Sequence, residues 1–329
     1  MAFPDPVEHS SRRRLALLAL LLVTLVWGLS FPWTKTALTA VRLESERAGL
    51  GGPWAERTGL LLFTGLRFGL ALVLLGAVNR WRGAQRRSRS RGEPAWRSGA
   101  ILGGLLVAGM LLNSEGLRDL EPAVSAFLTS LYVLFTLLFA ALLRRRWPSP
   151  SLQLGVLLAT LGAAFIDGPP QASFGLPAAL TVASAALFAG QILAIDRFGP
   201  RVEALVLTET MFAAAGAVCA GALWLLFAAG VLPPLGFLAA LLARPDFWQP
   251  LALMVGLATL FALSAMQLFQ RWLDPVRAAV LYALEPVWAA LYQALLDPAG
   301  VDRWLVLGGA AVLCGNLLAE WLPRLGRRR

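Results

Sequence analysis

The 329-residue chain is poor in the side chains that most soluble enzymes use for chemistry. It has one histidine (His9), one lysine (Lys35) and two cysteines. A single histidine outside the apolar segments cannot build a histidine metal site or a Ser/His triad. A Walker-type phosphate loop and a G-x-S-x-G turn are also missing from the sequence. These absences argue against an enzyme, and we expect neither a cofactor nor a metal.

Charge is scarce as well. Charged residues make up 15% of the chain and hydrophobic residues 58%, whereas soluble domains have roughly 25% and 45–50%. A soluble fold cannot bury that much apolar surface, so the composition excludes soluble globular proteins, disordered chains and secreted disulfide scaffolds. Cys219 and Cys314 lie in apolar runs, where free cysteine packs as a small hydrophobe. We therefore expect no disulfide.

Ten apolar stretches approach the 20 or so residues that a membrane-spanning helix needs. The first follows Arg12–Arg14 without a small-residue cleavage site, which favours an uncleaved span over a signal peptide. Pro286 should kink the ninth. The sequence predicts an all-α polytopic membrane protein with ten transmembrane helices. The predicted spans cover residues 15–38, 59–78, 98–117, 121–143, 151–167, 174–196, 203–229, 250–270, 275–297 and 303–321.

The distribution of cations predicts an orientation for these spans. With ten spans, both termini lie on one side of the membrane. Twenty-one of the 29 Lys and Arg residues then fall on the side of the termini, seven fall on the other side, and Arg67 lies within a span. Short cytoplasmic loops are enriched in cations. We therefore expect a cell inner (plasma) membrane protein with cytoplasmic termini, whose net charge of +10 requires no nucleic-acid partner.

Two kinds of connecting segment stand out. The basic loop 79–97 is expected to lie against anionic lipid headgroups, or to dock a partner through residues 80–97. Segments 39–57 and 231–249 are predicted to be outside loops, the second with a short interfacial helix.

An internal repeat relates the two halves of the chain. Residues 119–167 align without gaps to residues 272–320 at an offset of 153, which pairs Pro122 with Pro275 and Gly162 with Gly315. Because five spans per half is an odd number, the second half enters the membrane inverted, as in secondary transporters. The predicted divisions are a tail (1–14), a first five-helix repeat (15–167), a linker (168–173), a second repeat (174–321) and a basic tail (322–329).

Glu285 is the sharpest functional candidate. It lies near the middle of the ninth span, where a carboxylate is costly. Pro286 frees the carbonyl of Tyr282, whose hydroxyl lies on the same helix face as Glu285. These groups would carry protons or contact a substrate, or they would fix the kink through a hydrogen bond between helices. Both interpretations stay open.

Other polar residues within the spans complete the candidate set. The repeat places Tyr132 at the position of Glu285. Arg67 would clamp an anionic substrate, snorkel or pair with a carboxylate such as Glu115. Trp33 is expected at the interface, as is Lys35. The remaining candidates are cavity residues or helix-contact polar groups, namely Trp27, Ser30, Asn113, Gln191, Gln267 and Glu209.

Several short motifs resemble those of the EamA-type permeases of the drug/metabolite transporter (DMT) superfamily. They are Trp27-Gly28, Leu66-Arg67-Phe68 and Leu284-Glu285-Pro286-Val287, and their order and spacing match over nearly the whole chain. Val133 stands where the fourth span of the family usually has proline. The resemblance implies a permease for small metabolites, often an exporter of amino acids or related compounds. It also implies a cavity between the halves, with the fifth and tenth spans at the periphery.

The sequence therefore predicts a secondary transporter that exports a small metabolite by alternating access. Its expected partners are a small-molecule substrate, the lipid bilayer and protons as a candidate coupling ion, in a monomer or homodimer. The alternative is a non-transporting membrane scaffold or sensor that docks partners through residues 80–97.

Overall fold

A computed structural model describes residues 6–50, 53–81, 94–120, 122–165, 175–296 and 303–325, and the regular structure in these ranges is helical throughout. The first eight helices are α1 (Pro6–Arg47), α2 (Pro53–Trp81), α3 (Ala95–Asp119), α4 (Pro122–Ser130), α5 (Tyr132–Arg144), α6 (Pro150–Ala164), α7 (Leu176–Phe198) and α8 (Ala204–Ala228). The others are α9 (Leu235–Leu242), α10 (Pro245–Leu253), α11 (Ala262–Phe269), α12 (Pro275–Tyr282), α13 (Glu285–Leu296) and α14 (Arg303–Leu325). A π-helical segment, Met254–Phe261, joins α10 to α11, and a 3₁₀ turn, Gln270–Trp272, follows α11.

Seven helical stretches in the described part of the chain are long and apolar enough to cross a membrane. They correspond to α1, α2, α3, α4–α5, α7, α8 and the α10–α11 stretch. Helix α6 and residues 306–318 of α14 are shorter apolar helices. The described part of the chain is thus all-helical, and the protein is a multi-span membrane protein. Both cysteines are free, Cys219 buried and Cys314 exposed.

The prediction that residues 39–57 form an outside loop is wrong, because most of these residues are helical. Helix α1 continues to Arg47 and α2 begins at Pro53. Arg42 pairs with Glu46 one turn later, at 3.0 Å, which supports a polar helix beyond the apolar stretch. Hydropathy marks only the apolar part of a helix, so it underestimates helices that extend into water.

Other expectations about connecting segments have mixed outcomes. Helix α9 forms the short helix expected within 231–249. Most of the predicted N-terminal tail, from Pro6 onward, is part of α1. Residues 82–93 of the basic loop and the linker 168–173 lie outside the described residues.

Contacts between helix ends define two sides of the bundle. At the start of α1, the Arg12 guanidinium lies 5.2 Å from the Trp272 ring centroid, and we call this the tail side. At the other end, Lys35 Nζ donates to the carbonyls of Leu117, Arg118 and Leu120, at 2.8, 2.8 and 3.0 Å. We call this the loop side. A lysine there satisfies carbonyls that the end of α3 leaves open.

Two spans are interrupted at matching positions. Helix α4 gives way to α5 at Leu131, and α12 gives way to α13 at Ala283 and Leu284. Tyr132 and Glu285, which begin α5 and α13, are 153 residues apart. Near the second break, Pro286 lacks the N–H that would bond the carbonyl of Tyr282. The first break has no proline and was not predicted.

Helices α6 and α14 pack together through glycines. A Cβ atom at Gly162 would lie 2.6 Å from the carbonyl oxygen of Gly308, and one at Gly315 would lie 2.6 Å from that of Gly155. Only glycine permits this backbone approach. Each contact is the 153-residue counterpart of the other, and the crossed pairing makes the two helices antiparallel.

Candidate functional site

A cavity between the helices gathers most of the polar residues that the sequence analysis singled out. It contains about 890 Å³ of space between atoms, including its open mouth. Eight of the candidates line it, namely Trp27, Ser30, Arg67, Asn113, Tyr132, Gln191, Tyr282 and Glu285. Gln267 is outside the lining, and its buried amide donates to Met211 Sδ at 3.5 Å. Helices α6 and α14 contribute no lining residue within the described part of the chain.

The rest of the lining was missed by sequence reasoning. It consists of aromatic, thioether and aliphatic side chains and small hydroxyl groups, including Phe31, Phe63, Phe188, Met110, Met254, Met266, Leu106, Ile192, Leu263, Thr64, Ser114 and Thr129. Apolar lining residues carry no signal in an apolar sequence. Thr34, which by its spacing lies on the same helix face as Trp27 and Ser30, also lines the cavity.

The two helix breaks meet at the centre of the site. The Tyr132 hydroxyl donates to Glu285 Oε1 at 3.3 Å, which joins the first residues of α5 and α13. Glu285 is only 5% exposed. A Cβ atom at Gly28 would lie 2.7 Å from the Glu285 carbonyl oxygen, so α1 lies directly against the backbone that carries the carboxylate. The break between α12 and α13 therefore has a fixed position in the bundle.

Trp27 connects α1 to the π-helical segment. Its indole Nε1 donates to the Ala258 carbonyl at 3.2 Å, and its ring stands edge-on to Tyr282 at 5.4 Å between centroids. Segments of π-helix are frequent at functional sites. Trp27 thus fixes one wall of the cavity.

Arg67 enters the cavity from α2. Its Nε donates to Thr259 Oγ1 in the π-helical segment, and its guanidinium lies 5.7 Å from the Phe68 ring centroid. The pairing with Glu115 that the sequence allowed is wrong, because Arg57 holds that carboxylate at 3.3 Å. Helix α2 begins at Pro53 on the loop side, so Arg67 lies about 21 Å further along the helix axis.

Polar residues outside the centre contact neighbouring helices. Asn113 Nδ2 donates to Thr129 Oγ1 at 2.6 Å at the edge of the cavity. Glu209 lies away from it and accepts from Asn79 Nδ2 at 2.7 Å, so Glu209 joins α8 to α2.

Two layers of polar contacts join helices on the tail side of the cavity. Gln270 accepts from the Tyr282 hydroxyl at 3.1 Å and donates to the Ile192 carbonyl at 2.8 Å. At the surface, Arg144 pairs with Asp274 at 2.8 Å and with Asp196 at 3.3 Å. These two layers tie α5, α7 and α12 together.

The described residues include no group of three or more His, Cys, Asp or Glu side chains placed to hold a metal ion. The arrangement is therefore one of hydrogen-bonding and apolar groups around a buried cation and a buried carboxylate. Such a site can bind and orient a small solute.

Comparisons with known proteins agree with this architecture. A solved crystal structure, described only as that of a protein, superimposes with a TM-score of 0.68 at 20% identity, covering 95% of this chain and 99% of its own. No curated protein matches the sequence. Residues 49–167 match the family described as the EamA-like transporter family. This stretch of the chain is therefore similar to the EamA-like transporters, which are part of the DMT superfamily.

Proposed function

We propose that the protein is a secondary transporter that moves a small metabolite, such as an amino acid or a related compound, through the central cavity. The observation that carries this proposal is the meeting of two interrupted helices, 153 residues apart in sequence, beside a polar cavity. Interrupted helices at the interface of inverted repeats form the substrate sites of many secondary transporters.

The proposal includes ten spans in two inverted five-helix repeats, residues 15–167 and 174–321. The reciprocal glycine contacts of α6 and α14 and the paired helix breaks support this division. Both termini are cytoplasmic in a plasma membrane, as the cation bias supports. The tail side, which the contacts of Gln270 and Arg144 hold together, then faces the cytoplasm. A transporter that exports its substrate alternates between this state and one in which the tail side opens.

Glu285 is the proposed coupling residue. A carboxylate inside a membrane protein is expensive to keep charged, and such residues mark proton and substrate pathways. Tyr132 donates one hydrogen bond to it, and the other carboxylate oxygen has no hydrogen bond from the described residues. Protonation of Glu285 would remove a charge at the helix break, where a small shift changes how α12 and α13 meet.

Reconstituted liposomes test transport directly. The purified chain is screened with labelled amino acids and related metabolites, with and without a proton gradient. We expect at least one solute to cross faster than in empty vesicles. If no solute in the panel does so under either condition, the transport proposal fails for that panel.

A pair of variants tests the coupling role. Glu285→Gln should uncouple transport from the proton gradient while exchange of labelled for unlabelled solute continues. Glu209→Gln is the matched control, because Glu209 lies outside the cavity. If Glu285→Gln exchanges solute and keeps the proton dependence of the unaltered protein, Glu285 is not the coupling residue.

A further inference from the structure

We propose that Arg67 is the anchor for a carboxylate group of the transported solute, so that the substrate class is an organic acid with an apolar body. This inference rests on the proposed transport function and names the chemistry of the same cavity. It is carried by the surroundings of the guanidinium group and by the composition of the cavity wall.

Arg67 is held in the cavity wall and is not neutralised there. The residue is buried, with 7% of its surface exposed. Only Nε has a hydrogen-bond acceptor among the described residues, the hydroxyl of Thr259. No described carboxylate pairs with the guanidinium, because Glu115 is held by Arg57 and Arg118. Apart from Arg67 and two tyrosines, Glu285 is the ionisable residue among the described lining residues, and it accepts a hydrogen bond from Tyr132.

The contact with Thr259 leaves the two terminal nitrogens for a ligand. A guanidinium presents its N–H groups as a rigid planar fork, which matches the two oxygens of a carboxylate. Fixing Nε to the π-helical segment sets the plane of that fork. A buried cation without a protein partner is costly, and an anion in the cavity would compensate it.

The other lining residues indicate the chemistry of the rest of the solute. Phe31 and Phe63 line the cavity with Met110 and Met254, on the half of the bundle that also holds Arg67. Aromatic rings and thioethers accommodate apolar groups of varied shape. The site therefore fits a carboxylate joined to an aliphatic or aromatic group.

Equilibrium binding to the purified full-length chain tests this assignment without requiring transport. Three probes are titrated by calorimetry: 3-phenylpropionate, its neutral amide 3-phenylpropionamide, and L-phenylalanine. Charge-assisted hydrogen bonds are about twice as strong as neutral ones, so we expect the acid to bind about tenfold more tightly than the amide. L-Phenylalanine should depend on Arg67 to the same degree as the acid.

Three variants locate the effect. Arg67→Gln should lower the affinity for both acids about tenfold and abolish their preference over the amide. Arg67→Lys should retain part of that preference, because it keeps the charge but loses the fork. Thr259→Val should weaken acid binding less than Arg67→Gln does. Arg57→Gln is the control, since it removes a loop-side cation that is outside the lining.

Several results would overturn the assignment. They are equal affinities for acid and amide in the unaltered protein, an Arg67→Gln variant that keeps the preference, and no binding of either acid at millimolar concentration. Folding of each variant is checked by gel filtration and by its thermal midpoint. If acids bind through Arg67 but no solute crosses the liposomes, the transport proposal fails and this site stands. If neutral solutes cross and Arg67→Gln changes nothing, only this site fails.

Discussion

The packing of α1 against α13 predicts that a single methyl group at Gly28 destabilises the protein. In Gly28→Ala, the added Cβ would lie 2.7 Å from the Glu285 carbonyl oxygen, 2.7 Å from Trp288 Cβ and 3.1 Å from the Ala289 nitrogen. Carbon atoms pack best at about 3.5–4.0 Å, so the contact with Trp288 is about 0.8 Å too short. None of these atoms can rotate away, because they belong to the α13 backbone or are fixed to it.

The magnitude follows from a comparison with a glycine in open space. A Cβ at Gly69 meets no atom within 4 Å. Replacing glycine with alanine in a helix favours the helix by about 1 kcal/mol at either position, and this gain cancels in the difference. Overpacking costs about 1–3 kcal/mol. Gly28→Ala should therefore be less stable than Gly69→Ala by about 1–3 kcal/mol.

The free energy of unfolding is measured by titrating the protein in mixed micelles with a denaturing detergent, followed by circular dichroism. Tryptophan fluorescence provides a second probe, because agreement between the two supports a two-state transition. If the two variants differ by less than about 0.5 kcal/mol, well below the cost of overpacking, α1 does not lie against the break between α12 and α13.

Three further substitutions test other contacts. Gly315→Leu should destabilise the α6–α14 pair by at least 1–3 kcal/mol or so relative to Gly104→Leu, whose site is open, by the same unfolding measurement. Arg144→Gln should make the tail side more accessible to a thiol reagent. A cysteine placed at Ile192 should then be labelled from that side faster by roughly fivefold or less, because half-exposed ion pairs contribute under about 1 kcal/mol each. Lys35→Met should speed hydrogen exchange at the end of α3, whose carbonyls lose three hydrogen bonds; unchanged exchange there would contradict this role.

Much of the helical architecture could be predicted from hydropathy and proline positions alone. Apolar runs mark the parts of helices that face lipid or other helices, and Pro286 marks a break because its effect on the backbone is local. The length of α1 could not be found in this way, since its last turns, around Arg42 and Glu46, are polar. The break at Leu131 has no local cause in the sequence. It lies where α5 begins against Glu285, and thus depends on packing between distant segments.

The candidate site was predictable in part for a related reason. Polar side chains inside apolar spans are few, so Glu285 and Arg67 stand out in the sequence. Their partners do not. Thr259, which contacts Arg67, lies in the π-helical segment, and Gln270, which contacts Tyr282, lies in the 3₁₀ turn. Neither segment has a sequence signal comparable to a proline, so these hydrogen bonds require the folded chain.

The contacts on the tail side and on the loop side differ in chemistry, even though the two halves of the chain align at an offset of 153 residues. On the tail side, Arg144 bridges Asp274 and Asp196. The residues 153 positions away from Arg144 and Asp274 are Asp297 and Glu121, both acidic, so the loop side cannot repeat this ion pair. There, Lys35 of the first half bonds the carbonyls at the end of α3 instead. Because both sets of contacts are present in the same conformation, substitutions at Arg144 and at Lys35 should both destabilise that conformation.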